Sequence, residues 1–258
     1  MLDYQPVLKK EFTDKRWQRS PDFFFAALDT ICPLTCKELP DALMCMPSCF
    51  VVADEEYYLS GLLGLGPSEN LYVSLEGKWL GKYVPAVYST FPFMVAKNEA
   101  EEGQQILCID TNSGLLDSID ADERFFNEDG TLNSNLDTVM QFQSQINADR
   151  ETTQAMCKVL KQHNLLKPWK LTLQQPDEVL NVEGIYCVDE KALNALPDES
   201  FIELRKGGVL QLAYCQLLSM KRVSLLTELL STRFAVSTPA QEFDLDLVEN
   251  NTLNFDNL

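Results

Sequence analysis

The sequence predicts an α+β protein: a strand-rich N-terminal half with an antiparallel or mixed sheet, a helix-rich C-terminal half, and one compact unit. Three observations carry this. In the first 110 residues CFVVAD, YYLSGLLGLG, NLYVSL, FPFMVA and QILCID are short apolar or alternating runs bounded by turn formers. From Leu136 to Leu160 the apolar residues Val139, Met140, Phe142, Ile146, Met156 and Val159 recur mostly at helical steps. Near the end, VLQLAYCQLLSMKRVSLLTELLSTRF reads as an apolar helix or helix pair destined for the core.

The elements follow in order. T-C-K-E at 35–38 is a capping box that starts a helix at Thr35, with Glu38 reaching back to the cap. A further short helix is predicted over Pro85 to Thr90. Residues 110–135 form an acidic connection in which Asp129-Gly130 marks a turn and Asn133 or Ser134 caps the next helix. That helix runs to about His163, with a break expected near Asp149, where NADRETT is polar. WKLTL and VLNVEGIYCVD form a hairpin through QQPDE. DEKALNAL and PDESFIELRKGG are two short helices, the second ending at Gly207-Gly208. One domain covers 1–234, with 110–133 as the place where it could subdivide. The acidic tail 235–258 reads as a disordered terminus, with a short partner-docking motif as the alternative.

Composition narrows the function classes. The chain has 258 residues, 45% hydrophobic and 23% charged, with a net charge of -18. That is ample apolar material for a core and too much for a disordered chain. The acidic excess repels phosphate backbones and anionic lipid surfaces, so neither nucleic acid nor membrane is an expected partner. No run reaches the roughly 18 apolar residues needed to span a bilayer, and MLDYQPVLKKEF lacks a signal-peptide core. A cytoplasmic protein with reduced thiols is the expectation, with signal-independent export to the cell surface as the alternative.

Few residues invite chemistry. GLLGLGPSEN lacks both GxGxxG and a following G-K-[ST], so its glycines belong to turns and strands. The acidic connection fails the EF-hand pattern, because position 125 is Phe; a looser calcium site is the lesser alternative to a solvated loop. A single histidine, His163, excludes motifs that need two; in the last helical turn it suits the helix dipole, with catalysis as its weaker role. Cys32, Cys36, Cys45 and Cys49 form twin C-x₃-C pairs, but the cap at Thr35 and Pro47 keep each pair off one helix. They are expected to be core filler, with a metal or redox site as the alternative, and no cofactor is expected. Cys36, in the first turn of its helix, is the thiol best placed to react.

With these segments placed, the chain resembles the bacterial SapC family, named from a surface-array (S-layer) gene cluster. PDFFFAA at 21–27, PLTCKELP at 33–40, residues 61–96, FFNEDGTLNSNL at 125–136 and residues 182–220 carry the likeness. The resemblance implies a protein without an export signal and an accessory role in nutrient uptake or peptide metabolism. It transfers no catalytic residue, and the four cysteines around P-L-x-x-x-E-L-P are departures from the family pattern.

EGKWLGKYVPAVYSTFPF sets aromatics beside cations in an acidic protein. Lys78, Trp79, Lys82, Tyr83, Tyr88 and Phe91 are therefore the candidate surface for a protein or peptide partner or a small anionic ligand, with packing onto a sheet as the competing role. The functional expectation is a non-enzymatic binding or accessory protein. An enzyme with a carboxylate or thiol site is the alternative, and a surface-layer component the weaker one.

Overall fold

The computed structural model describes residues 3–97, 105–174 and 179–237. In chain order it contains β1 (Tyr4–Pro6), α1 (Lys9–Phe12), β2 (Arg16–Trp17), β3 (Ile31–Pro33), α2 (Leu39–Ala42), β4 (Ser48–Ala53), β5 (Glu56–Leu62), β6 (Phe93–Lys97), β7 (Gln105–Asp110) and β8 (Glu123–Arg124). Then follow α3 (Ser134–Gln162), β9 (Leu166–Pro168), β10 (Leu171–Gln174), β11 (Val179–Val182), β12 (Ile185–Val188), α4 (Glu190–Asn194), α5 (Asp198–Lys206), α6 (Val209–Ser219) and α7 (Val223–Ser237).

The main sheet has the order β3-β5-β4-β12-β9, and every pairing in it is antiparallel. A second, three-stranded sheet runs β1-β7-β6, and β2-β8 and β10-β11 are separate two-stranded pairs. The class is α+β, but strands are not confined to the N-terminal half: β9 and β12, beyond the long helix, complete the main sheet. Their sequences alternate only briefly, so the pairing is set by tertiary contact rather than by local pattern. NLYVSL also departs from expectation. It makes a single bridge, Val73 to Trp79, closing a tight hairpin instead of a strand. Gly77 turns that hairpin at φ +78°, and a Cβ there would meet the Phe24 ring at 2.8 Å.

Two apolar clusters result. One lies on the main sheet and gathers Leu34, Met46, Phe50, Leu62, Leu160 and Leu212. The other lies on the smaller sheet and gathers Phe12, Trp17, Phe93, Ile109, Phe125 and Leu136. The helix α3 belongs to both: Leu136 near its start is buried in the second, Cys157 and Leu160 near its end in the first. Twenty-nine residues give it about 43 Å at 1.5 Å per residue, enough to run across both. No break occurs at Asp149. Thr153 there donates to the Asp149 carbonyl at 2.6 Å and accepts the Cys36 amide at 2.8 Å, so the polar middle is tied to the β3–α2 turn. Asn133 caps the N-terminus as expected, accepting from the Asn135 amide at 2.9 Å. Residues 175–178 of the QQPDE turn and the tail beyond Ser237 lie outside the described residues; 235–237, assigned to the tail from sequence, belong to α7.

The helix α6 is fastened to the main sheet by two side chains, Gln216 and Ser219. β4 and β12 pair at Ile185–Val51 and Tyr186–Phe50. Past that point buried Gln216 bridges them, donating to the Ser48 carbonyl at 3.0 Å and accepting the Val188 amide at 2.9 Å. Ser48 and Ser219 add a hydroxyl pair at 2.7 Å. Replacing Gln216 by Leu leaves two buried backbone groups unpaired, so chemical denaturation is expected to show a loss of about 2–4 kcal/mol.

Candidate functional site

Between the two clusters opens a cleft of about 530 Å³. Three segments supply it: the turn around PDFFFAA with Phe23 and Phe25, the 84–93 stretch with Tyr88 and Phe91, and the first half of α3 with Val139 and Phe142. Phe25 and Phe91 stack at 3.9 Å with ring planes 8° apart, and Tyr88 meets Phe25 edge-on at 5.9 Å. Gln143 of α3 donates to the Thr90 hydroxyl and, at 3.4 Å, to the Phe93 carbonyl, which ties the helix to the 88–93 stretch. The charged side chains of the lining are Arg19 and Asp22, with Ser20, Ser89, Thr90, Asn135 and Thr138 beside them. Glu123 takes a hydrogen bond from Asn135 at 2.8 Å and lies 3.6 Å from Arg19, while Asp22 caps the Phe24 amide at 3.0 Å.

Behind the aromatic lining sit two carboxylates. Glu38, 8% exposed, accepts four donors: the Thr35 amide at 2.8 Å, the Thr35 hydroxyl at 3.0 Å, the Tyr83 hydroxyl at 2.8 Å and the Ala86 amide at 2.9 Å. Four donors make burial of a carboxylate tolerable and bind PLTCKELP to the aromatic stretch. Glu38 thus reaches back to Thr35 as the capping box requires. The Thr35 hydroxyl, however, turns to Glu38 rather than capping a backbone amide, and the helix begins only at Leu39. Asp29 is the second carboxylate and accepts the Tyr88 hydroxyl at 2.8 Å. Burial holds Asp29 above the usual carboxylate range, with the Tyr88 hydrogen bond pulling it part of the way back.

The six residues of the expected binding surface divide among three places. Tyr88 and Phe91 line the cleft. Trp79 and Tyr83 are half-buried in the packing behind it: Trp79 stacks on Tyr72 at 5.4 Å and donates to the Tyr83 carbonyl at 2.8 Å. Lys78 and Lys82 are exposed; Lys78 pairs with Glu76 at 2.7 Å and lines a different groove. Phe23, Phe25 and Phe142 were not among the predicted site residues. The run of three phenylalanines at 23–25 was the available signal, as its middle member, Phe24, is 52% exposed.

Cys32, Cys45 and Cys49 are buried and unbonded, and Cys36 is half-buried. Burial pushes the Cys49 and Cys157 thiols up to about 12 and the Cys32 thiol well above its usual value. Cys36 does not stand in a first helical turn, since its segment is a turn leading into a four-residue helix. His163 is the C-cap of α3, with Nε2 3.3 Å from a Glu203 carboxylate oxygen. Among the described residues no group of three or more His, Cys, Asp or Glu side chains could hold a metal ion. In the acidic connection Asp110, Asp117 and Asp129 accept backbone amides instead.

Removing the Glu38 carboxylate as Glu38→Ala strands buried amides and a phenol, so denaturant unfolding is expected to show a loss of about 3 kcal/mol, with Tyr83→Phe costing about 1 kcal/mol. Burial, and for Tyr83 and Tyr88 the adjacent carboxylates, raises the Tyr72, Tyr83 and Tyr88 phenols above their ordinary 10.0. Folded-state values above the unfolded one mean that this contribution to stability is whole below pH about 10 and is lost as pH rises beyond it. In an alkaline titration, tyrosinate absorbance from these three is expected to appear together with loss of circular dichroism, not before it.

No helix among the described residues is long and apolar enough to cross a membrane. No curated protein and no solved structure matches the chain. The SapC family model matches residues 8–226, a span that takes in the main sheet, β6 and β7 of the second sheet, α3, the aromatic cleft and the Glu38 cluster. The chain belongs to the SapC family.

Proposed function

We propose that this chain is a binding or accessory protein without catalysis of its own, which takes an apolar side chain of a protein or peptide partner into the cleft between its two cores. The carrying observation is the cleft itself. At about 530 Å³ it falls within the usual range for ligand sites of about 300–1,000 Å³, and Phe23, Phe25, Phe91 and Phe142 give it an apolar lining. Phe142, 43% exposed on the first half of α3, gives this apolar lining an open aromatic edge. The polar lining, Ser20, Ser89, Thr90, Asn135 and Thr138 with Arg19 balanced by Asp22, suits the amides of a peptide better than a strongly anionic ligand, because Lys78 and Lys82 stand away from it. A capture step of this kind fits an accessory role beside nutrient uptake or peptide metabolism.

A second reading, an enzyme with a carboxylate site, is favoured by one observation: Tyr88 lines the cleft and bonds Asp29, whose carboxyl burial has raised. Against it, the Glu38 oxygens are occupied by four donors, so only one of the two carboxylates is free to take on chemistry.

Selection from displayed random decapeptides tests the binding reading. The enriched sequences are expected to share an aromatic or large aliphatic residue. Their affinity is expected to fall at least about tenfold, roughly 1.4 kcal/mol, for Phe142→Asp and to stay unchanged for Lys82→Ala. Binders indifferent to Phe142→Asp, or none at all, would refute it.

A further inference from the structure

A second groove, of about 280 Å³, lies away from the cleft, between the hairpin closed by Val73 and Trp79 and the C-terminal part of α7. Leu75 and Leu80 of the hairpin and Leu229 and Thr232 of α7 line it, with Arg233 and the Lys78–Glu76 pair at its sides. The hairpin leucines are 63% and 50% exposed, so the groove is an apolar surface open to an occupant. Arg233 ties α7 to the hairpin: its guanidinium donates to the Asn70 and Val73 carbonyls and lies 3.9 Å from the Glu69 carboxylate.

We propose that residues 242–248 of this same chain dock in that groove, with Phe243, Leu245 and Leu247 entering it. Three observations select this occupant. The first is position: α7 supplies one wall, and after its last residue, Ser237, five residues lead to Phe243. Five residues reach up to about 17 Å when extended, and a linker that short gives an effective concentration in the millimolar range. The second is pattern. EFDLDLVE at 242–249 alternates acidic and apolar side chains, so an extended segment presents Phe243, Leu245 and Leu247 on one face and Glu242, Asp244 and Asp246 on the other. The third is charge. Residues 234–258 hold five acidic side chains and no basic one, while the groove is lined by two cations, Lys78 and Arg233, against one carboxylate, Glu76, in a protein of net charge -18. A free acidic segment would be repelled by most of this surface and least by this part of it.

Photo-cross-linking in the full-length chain tests the proposal, with a benzophenone side chain placed at Leu80 and, separately, at Leu75. Both sites are exposed, so the probe leaves the core alone. The expected result is an intramolecular cross-link to residues 241–249, with a yield independent of protein concentration. Phe243→Ser, Leu245→Ser and Leu247→Ser combined are expected to lower that yield at least about fivefold. Cross-links between chains that increase with concentration would assign the groove to a second copy and overturn the proposal. So would an absence of tail cross-links from both probe sites, or a yield indifferent to the triple substitution.

Discussion

Everything in this fold depends on α3 being one uninterrupted helix. Its 29 residues carry Leu136 into one core and Leu160 into the other, so a single rigid rod sets the distance between two sheets that share no strand. The polar stretch in its middle is not a weakness in that rod. Thr153 satisfies an amide of the β3–α2 turn, and Gln143 satisfies groups of the 88–93 stretch, so the polar positions are where the rod is attached to its surroundings. The cleft follows from the same arrangement, because two apolar cores held apart by a helix leave a gap, and the first half of α3 lines it.

The aromatic stretch 78–93 shows how closely spaced residues come to serve opposite ends. Glu38 and Asp29 each receive a phenol from it, Tyr83 and Tyr88 respectively, and these two hydrogen bonds fix which side of the stretch faces inward. Trp79, stacked on Tyr72, then belongs to the interior, and Phe91, stacked on Phe25, to the cleft. Buried carboxylates are costly unless every lone pair finds a donor. Glu38 meets that condition with donors from three positions, Thr35, Tyr83 and Ala86, and so makes PLTCKELP and the aromatic stretch one unit.

Much of this could be read from the chain itself. The runs CFVVAD, QILCID and FPFMVA become β4, β7 and β6, the cap at Asn133 opens α3, and Gly207-Gly208 separates α5 from α6. The burial of Cys32, Cys45 and Cys49 follows from their apolar neighbours and from Pro47. These features are local: periodicity, capping and turn chemistry act within a few residues and leave their mark in the sequence. The long-range features were not legible. That β12 joins β4, that Gln216 reaches Ser48 where their pairing stops, and that Phe23 and Phe142 line one cleft depend on residues more than a hundred positions apart. The sequence by itself determined the α+β class, the cap at Asn133 that opens α3 and the runs that become β4, β6 and β7, but not that α3 runs unbroken past Asp149 or that α2 begins only at Leu39. Only the tertiary structure decided which aromatics line the cleft and which lie buried behind it, because a Phe or Tyr looks the same in sequence on either side, and the donors that Asp29 and Glu38 require settle the choice.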